Sequence, residues 1–297
     1  MDTLSLRLFV RVAELRGVSA AARDLALSPA SASARLAKLE GTIGFRLFNR
    51  TTRAVSLTTD GAEFLPYAQQ SLETLELGLG VVSGEGAQAQ GVLRMTLPGS
   101  FGRMHVIPLL AEFSERYPLV SLDLRLSDEV LDVVEGAYDL IIRNAPFRDS
   151  SLIARKLAHD RRLLTASPAY LAEHGTPATP EDLVAHRCVL LGEHNRWKFE
   201  NGQTVTVPSS FMVNDGEALR MMTELGMGIA IHSVWSASES IRSGVLVEVM
   251  PRFPLITESA IWALYPTKRL VPPKVRAMID FLLERFWPDP PWESACS

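Results

Sequence analysis

The pattern in residues 17–61 constrains the fold more than any other part of the chain, because two short amphipathic segments lie almost end to end. The first, GVSAAARDLAL, carries small residues on its inner face, and Ser19 is a suitable N-cap for its helix. In the second, SPASASARLAKLE, Ser28 can cap a helix whose first turn contains Pro29, where the missing N–H costs nothing. About three residues separate the two helices, which must therefore cross sharply.

The second helix has one apolar face and one open face. Ala32, Leu36 and Leu39 recur at i, i+4 and i+7 and are predicted to be buried. Such a helix can enter the major groove of DNA, and the residues we assign to DNA are Ser28, Pro29, Ala30, Ser31, Ser33, Ala34, Arg35 and Lys38. Most of these side chains are short. We therefore expect sequence readout to depend on apolar contacts, DNA shape and dimer spacing.

The next stretch, GTIGFRLFNRTTRAVSLTTDG, reads as a hairpin that carries arginine and threonine donors for phosphate oxygens or a narrow minor groove. These donors are Arg46, Arg50, Thr51, Thr52 and Arg53. Residues 1–60 contain nine Lys/Arg and five Asp/Glu, a local charge of +4 in a chain of net charge -4. A solvated charged face is the alternative, but the helices beside the hairpin favour a winged helix-turn-helix that binds double-stranded DNA.

Residues 59–83 predict a long helix with a narrow apolar stripe of heptad spacing. Its members are Leu65, Ala68, Leu72, Leu75, Leu79 and Val82. So narrow a stripe favours a partner helix of the same kind, parallel or antiparallel, although a helix that packs only on its own domain is the alternative. Pro66 removes one backbone hydrogen bond and is expected to bend the helix. The linker SGEGAQAQG follows, and we expect a domain boundary near residue 88.

From Val92 onward the pattern is α/β. LRMTL, VSLDLRL, DLIIR and the edge-like LIARKLA are predicted strands, with helices at FGRMHVIPLLAEFSERY and near 129–135. RRLLTAS begins a second lobe, which contains a hairpin in WKFENGQTVTV with Asn201-Gly202 as its turn. AIWALYP would lead the chain back, so that a helix over 273–287 packs on the first lobe. Two lobes joined by two crossing strands enclose a cleft, and ligands favour such interfaces.

The candidate effector-binding residues lie mostly at the ends of predicted strands: Ser100, Phe101, Ser127, Arg143, Asn144, Phe199, Asn214 and His232. Ser100 can hold a carboxylate or act as a plain N-cap, and Arg143 can pair with an anionic ligand. An internal salt bridge from Arg143 to Asp128 or Asp139 is equally compatible with the sequence. Core packing is the alternative for Phe199, and a structural role is the alternative for His232.

The sequence therefore predicts a multidomain chain: an all-α winged helix-turn-helix domain with a linker helix, followed by a two-lobed α/β domain. Residues 1–60 form the DNA-binding domain and 61–88 the dimerisation helix and hinge. Residues 89–297 form the effector domain, with lobe I at 89–161 and 268–297 and lobe II at 162–267.

Composition and motifs favour a regulator over an enzyme. The chain has no GxSxG, Walker or HExxH motif, its six histidines are scattered, and its GxG sequences do not open a helix after a strand. Cys188 and Cys296 form no CxxC pair, so we expect free thiols and neither a metal site nor a resident cofactor. No apolar run of about twenty residues and no signal-peptide pattern is present, and we expect a cytoplasmic protein without membrane contact. A solute-binding protein and an α/β enzyme with an accessory helix-turn-helix are the alternatives.

The chain resembles the LysR-type family of bacterial transcriptional regulators. The resemblance is carried by LRLFVRVAELRGVSAAARDLALSPASASARLAKLE, IGFRLFNRTTRAVSLTTDG, LRMTLPGSFGRMHVIPLLAEFSERYP, YDLIIR, LLTASPAYLAEHGTP and NDGEALRMMTELGMGIAI. It implies a dimer or tetramer on a pseudo-palindromic operator and a two-lobed effector domain similar to periplasmic solute-binding proteins. Entry of a small molecule would change DNA bending or contact with RNA polymerase. Ala34 and Pro29 depart from residues common in the family, Arg or Lys and Gln respectively.

Overall fold

The chain folds into two compact units, Met1–Gln88 and Ala89–Ser297. The computed structural model describes residues 2–50, 55–83, 88–128, 138–146, 152–266 and 271–293. Within these ranges, none of the helices has the length and apolar character needed to cross a membrane. The helix predicted near 129–135 lies outside the described residues.

The first unit is a winged helix-turn-helix followed by a long helix. Its elements are α1 (Thr3–Leu15), α2 (Val18–Asp24), α3 (Pro29–Ile43), β1 (Phe48–Arg50), β2 (Val55–Leu57) and α4 (Thr59–Ser83). The Ser28 side chain accepts a hydrogen bond from Ser31 N at 3.2 Å, and Pro29 begins the helix, as predicted. The predicted cap at Ser19 is wrong. The N-cap is Gly17, two residues earlier, because its carbonyl already accepts from Ala21 N at 3.1 Å.

The core of the first unit lies where the first three helices meet. Ala21, Ala22 and Ala32 are completely buried, and their small size lets the helix backbones approach closely. Leu36 and Leu39 are buried on the inner face of α3, which confirms the periodicity argument. Removing a leucine side chain from water contributes about 1.5–3 kcal/mol, so this inner face determines the orientation of α3.

The first half of the predicted dimerisation stripe packs inside its own unit. Ala68 is 1% exposed, and Leu65 and Leu72 are partly buried against the same core. Ala68 is therefore corrected from a seam residue to a core residue of the protomer, whereas the assignment of the partly buried Leu65 and Leu72 to the seam stays a prediction. Leu75 differs, because 43% of its surface remains exposed. The side chains of the last two stripe residues lie outside the described part of α4: Leu79 and Val82.

The second unit begins with strands and helices of lobe I: β3 (Gly91–Leu97), α5 (Gly99–Phe101), α6 (Leu110–Arg116), β4 (Val120–Leu126), β5 (Leu140–Pro146) and β6 (Leu152–His159). A π-helical turn and a 3-10 turn connect α5 to α6, so the predicted single helix over this stretch is irregular. Pro108 lies in the 3-10 turn, and its lack of an N–H explains part of this irregularity.

Lobe II follows with β7 (Arg162–Ala166), α7 (Pro168–His174), β8 (Val189–Leu191), β9 (Arg196–Lys198), β10 (Thr204–Thr206), β11 (Phe211–Val213), α8 (Gly216–Glu224), β12 (Ala230–Ser233), α9 (Val234–Arg242) and β13 (Val247–Glu248). Strand β7 lies between β12 and β13 and is antiparallel to both. The hairpin predicted around Gly202 is confirmed by the pairing of β9 with β10. Gly202 has φ +87°, a conformation that favours glycine.

The chain re-enters lobe I at an earlier residue than predicted. Strand β14 (Ser259–Pro266) joins the five-stranded sheet of lobe I, whose strand order is β4-β3-β5-β14-β6. It pairs antiparallel with both β5 and β6, so the predicted end of lobe II at 267 is wrong. These hydrogen bonds join residues distant in sequence, which local patterns do not reveal. β6 is at the sheet edge, as predicted.

Helix α10 (Pro273–Phe286) packs on lobe I, and a buried lysine fixes its start. Lys274 is 2% exposed; its Nζ donates to the carbonyl of Val92 at 2.6 Å and lies 3.1 Å from Asp139 Oδ2. The same carboxylate accepts a hydrogen bond from Arg94 N at 3.0 Å. The charge of Lys274 is therefore compensated and hydrogen-bonded, which buried charges require.

His232 is a buried histidine in the lobe II sheet. Its ring is 2% exposed, and Nδ1 lies 2.9 Å from the Thr165 hydroxyl on the neighbouring strand. Burial, together with the charge of Arg220, lowers the pKa of His232 to about 4. The ring is therefore neutral in the folded protein at neutral pH.

The free energy of unfolding should fall as the pH drops from about 6.5 to about 4, because the unfolded chain protonates His232 and the folded chain does not. The expected slope from this residue is at most about 1.4 kcal/mol per pH unit. All five tryptophans lie in the second unit, so urea unfolding followed by tryptophan fluorescence reports on it. His232→Gln should reduce the slope, whereas the control His194→Gln, at an exposed loop position, should not. Equal slopes for wild type and His232→Gln would contradict the prediction.

Gly61 marks a close approach between α4 and the wing. A Cβ at this position would lie 2.1 Å from the carbonyl oxygen of Leu47, which is backbone and cannot rotate away. Gly61→Ala should destabilise the first unit by about 1–3 kcal/mol or more and weaken DNA binding.

The matched control is Gly41→Ala in α3, where an added Cβ meets nothing within 4 Å. This change should stabilise the helix by about 0.5–1 kcal/mol. Circular dichroism at the helix band during heating measures both effects, with tryptophan fluorescence as a check that the second unit is unchanged. If Gly61→Ala unfolds no earlier than wild type, the close approach does not limit stability.

Candidate functional site

The outer face of α3 is open to solvent and consists mostly of small side chains. Residues of this face that the structure leaves exposed are Ser28, Pro29, Ala30, Ser33, Ala34, Ala37 and Lys38. Ser31 is half-buried, and its amide is already bonded to the Ser28 side chain. The site therefore offers hydroxyl and methyl groups to a groove, with Lys38 as its exposed cation.

Arg35, which the sequence analysis assigns to DNA, contacts a carboxylate of its own unit. It lies at the edge of the α3 face, half-buried, and Nη1 contacts Asp2 Oδ1 at 3.5 Å. Asp2 also caps α1 by accepting a hydrogen bond from Ser5 N at 2.9 Å, which holds the pKa of its carboxyl below the usual value. The position of Asp2 just before a helix is the sequence signal for this cap, but the contact with Arg35 is long-range.

A second charged cluster fixes α2 against α1. Arg11 donates from Nε and Nη2 to the carboxylate of Asp24, at 2.7 and 2.9 Å, and from Nη1 to Glu14 at 2.5 Å. The hydrogen bonds from Arg11 lower the pKa of Asp24. Arg11 thus contributes to the +4 count of residues 1–60, but its donors are bonded to carboxylates of its own unit.

The wing is attached to the end of α3 by Glu40. Its Oε1 accepts hydrogen bonds from the amides of Leu47 and Phe48, at 2.9 and 3.3 Å. Arg46, the residue just before this attachment, is exposed. Glu40 was missed by the sequence reasoning, although its place at the last turn of α3 is a usable signal. The attachment fixes α3, which carries the exposed Lys38, relative to the segment that carries the exposed Arg46.

The remaining predicted wing residues are described only in part. Arg50 ends β1, and its backbone pairs with Val55, but its side chain lies outside the described part. Three further residues lie wholly outside the described residues: Thr51, Thr52 and Arg53. Their assignment to DNA stays a prediction.

In the second unit, Ser100 lies where the two lobes touch. It is 5% exposed, and its hydroxyl has no hydrogen-bond partner among the residues that the structure describes. A Cβ at Gly216, the first residue of α8 in lobe II, would lie 3.4 Å from this hydroxyl oxygen. The two lobes are therefore in close contact at the predicted cleft.

Asp128 brings a carboxylate to the same place. It lies two residues after β4, and its Oδ2 is 3.4 Å from the amide of Gly99, a long hydrogen bond. Burial raises the pKa of Asp128, and the negative charge of Asp215 adds to this effect. The hydrogen bond from Gly99 and the charges of Arg143 and Arg103 act in the opposite direction.

Arg143 and Asn144 lie on β5 at the edge that faces lobe II. Arg143 Nη1 donates to the carbonyl of Ile142 at 2.8 Å, and burial lowers the pKa of its guanidinium. Of the two possible internal partners, Asp139 is held by Lys274, whereas Asp128 interacts electrostatically with Arg143. Asn144 Nδ2 donates to Ser233 Oγ of lobe II at 3.4 Å.

Ser127 is half-buried, and its amide donates to the carbonyl of Leu97 at 3.0 Å. Ser100, Asp128 and Asn144 therefore form the polar side of the contact between lobes, and Arg143 interacts electrostatically with Asp128 of this group.

Three predicted effector residues belong to cores instead. Phe101 and Phe199 are 0% exposed; Phe101 packs edge-on against Trp235 in the core of lobe I, and Phe199 lies in the core of lobe II. His232 is buried against Thr165. The strand-end pattern placed them near the cleft, but neighbouring residues on a helix or strand point to different sides. Asn214 is exposed just after β11, and none of these four belongs to the polar groups at the contact between lobes.

One cross-lobe contact was not anticipated. Arg103, in the turn after α5, forms an ion pair with Glu217 in the first turn of α8, with 2.5 Å between Nη2 and Oε2. Both residues follow a strand by a few positions, which is the only sequence signal for their meeting.

A cavity of about 390 Å³ lies beside the two segments that connect the lobes. Its lining comes from residues 159–164, Glu200, residues 248–251 and 253–255, Thr257 and Ser259. None of the predicted effector residues borders it. The cleft defined by Ser100 and Gly216 and this cavity are therefore different sites.

Two family models match the chain and account for most of its length. Residues 4–62 match the bacterial regulatory helix-turn-helix protein of the lysR family, and residues 86–287 match the LysR substrate binding domain. The two matches correspond to the two units of the fold.

Full-length relatives agree with the family models. The HTH-type transcriptional regulator DmlR of Escherichia coli is 35% identical over 288 residues, covering 95% of this chain and 93% of that protein. The probable HTH-type transcriptional regulator LtrA of Klebsiella pneumoniae is 34% identical over 287 residues, covering 94% and 93%. The solved structure of CrgA, a LysR-type transcriptional regulator from Neisseria meningitidis, is 31% identical with a TM-score of 0.62, covering 96% and 98%. The chain therefore belongs to the LysR family of transcriptional regulators.

Proposed function

We propose that this regulator binds an operator as a dimer or tetramer through α3 and the wing, and that a small-molecule effector between the two lobes changes this binding. The observation that carries the first part is the open face of α3 with Lys38 exposed, beside a wing that Glu40 holds in place. The second part is supported by the buried Ser100 hydroxyl at the contact between lobes. The proposal includes no enzymatic activity and no resident cofactor.

The bound effector would act by changing the bend of the operator or the contact with RNA polymerase, and the site of action is the cytoplasm. Exposed Leu75 on α4 supports association between copies, because an apolar side chain at a heptad position favours a partner helix. The alternative role, a solute-binding protein, does not account for the exposed face of α3.

Lys38→Ala and Arg46→Ala should each weaken binding to an operator that the wild-type protein selects from random duplex DNA. Each lost phosphate contact should also reduce the slope of log affinity against log salt concentration by about one unit. Fluorescence anisotropy across a salt series measures both quantities. The matched control is Lys198→Ala, at an exposed strand position of the second unit, and it should bind like wild type. An unchanged slope in both DNA-face variants would remove these residues from the interface.

Leu75→Glu should shift the protein toward smaller assemblies, because a carboxylate at an apolar helix seam must be desolvated when two helices pair. Sedimentation velocity across a range of concentrations measures the shift. Thr74→Glu places the same charge on the neighbouring exposed residue outside the stripe and should leave association unchanged. Identical sedimentation of the two variants would show that Leu75 is not at the seam.

A further inference from the structure

The ion pair between Arg103 and Glu217 connects the lobes at a place that solvent reaches. The side chains are 45% and 41% exposed, so a dissolved molecule can approach both partners. Surface ion pairs of this kind contribute little net free energy, about 0–1 kcal/mol. A ligand that offers a better partner to either residue can therefore replace this contact.

The guanidinium of Arg103 lies in the predicted cleft and not beside it. The position of a Cβ on Gly99 would be 3.4 Å from Arg103 Nη1 and 3.4 Å from Asp128 Oδ2. The adjacent Ser100 hydroxyl is buried without a partner among the described residues. A guanidinium and an unused hydroxyl donor are the groups that bind a carboxylate, which Arg can hold through two parallel hydrogen bonds.

We propose that Arg103 selects a carboxylate-bearing effector and that Glu217 occupies this residue until the effector arrives. The proposal rests on the proposed function, in which the effector enters the contact between lobes. The step is an exchange of partners: one carboxylate leaves the guanidinium and another takes its place, with no covalent bond made or broken. Because Glu217 belongs to α8, the exchange also removes an ion pair between the lobes, which links ligand binding to lobe position.

An effector carboxylate must replace Glu217 on Arg103, because the site already holds other carboxylates. Asp128 and Asp215 are close enough to influence each other, so a further negative charge would be unfavourable if nothing left. Glu217 leaves Arg103 when the effector carboxylate binds. The guanidinium therefore contacts one carboxylate both before and after the exchange. A cationic ligand would instead have to compete with Arg103 for Glu217, and Arg103 is tethered to the same cleft.

Three probes with the same carbon chain length test the proposal on the full-length protein: succinate, succinamide and 1,4-diaminobutane at equal ionic strength. Isothermal titration calorimetry and thermal shift measure their affinities for wild type, Glu217→Gln and Arg103→Gln. The matched control is Glu284→Gln, which breaks the Arg116–Glu284 ion pair of 2.6 Å on lobe I, where the exposures are similar at 46% and 44%.

Glu217→Gln should bind succinate about twofold to fivefold more tightly than wild type, because the internal competitor is gone. Arg103→Gln should lose succinate binding, also in combination with Glu217→Gln, while Arg103→Lys retains part of it. Glu284→Gln should bind like wild type. Circular dichroism confirms that each variant is folded.

Several results would overturn the proposal. Two concern the probes: succinate and succinamide bind equally, or the diamine binds more tightly than succinate. Two concern the variants: the higher succinate affinity of Glu217→Gln persists when Arg103 is also replaced, or Glu217→Gln does not bind succinate at all. Failure of the proposed function looks different: the wild-type protein would not bind a selected operator, or no small molecule would change that binding. The carboxylate assay does not depend on DNA, so the two failures are distinguishable.

Discussion

The close crossing of α2 and α3 is the constraint on which the first unit depends. It requires small side chains at the crossing, and Ala21, Ala22 and Ala32 are all completely buried there. A larger residue would push the helices apart, at a typical cost of about 1–3 kcal/mol for an overpacked core. The crossing determines which side of α3 faces outward. Glu40, at the end of that helix, then fixes the wing relative to α3, because its side chain accepts hydrogen bonds from two backbone amides at the start of the wing.

The lobes of the second unit are joined by contacts of two different strengths. Trp235, at the start of α9, packs against Phe101 in the core of lobe I, and this apolar contact excludes water. The contacts at the polar side are hydrogen bonds and the exposed pair of Arg103 with Glu217. Apolar burial is costly to undo, whereas an exposed ion pair is not. A ligand can therefore alter the polar side while the apolar side keeps the lobes together.

Local sequence patterns determined much of the first unit and less of the candidate cleft. The cap at Ser28 and the inner face of α3 could be predicted, because both depend on residues within a few positions of one another. The membership of β14 in lobe I could not, since it depends on pairing with strands over a hundred residues away. Local patterns also fail to predict the direction of the Phe101 side chain in the single turn of α5. Phe101 follows the cleft residue Ser100 directly, but its side chain points into the core.

The composition of α3 explains why such a regulator needs a second unit. A bidentate contact from Arg, Asn or Gln to a base contributes about 1–3 kcal/mol of discrimination, and α3 contains no Asn or Gln. Its one arginine, Arg35, is drawn toward Asp2. Discrimination must then come from apolar contacts, DNA shape and the spacing between two copies. When each copy contributes little, a coupling of about 1–3 kcal/mol from an effector is a large part of the specific binding free energy. Weak readout by α3 is thus what allows a small molecule bound in the second unit to control occupancy of the operator.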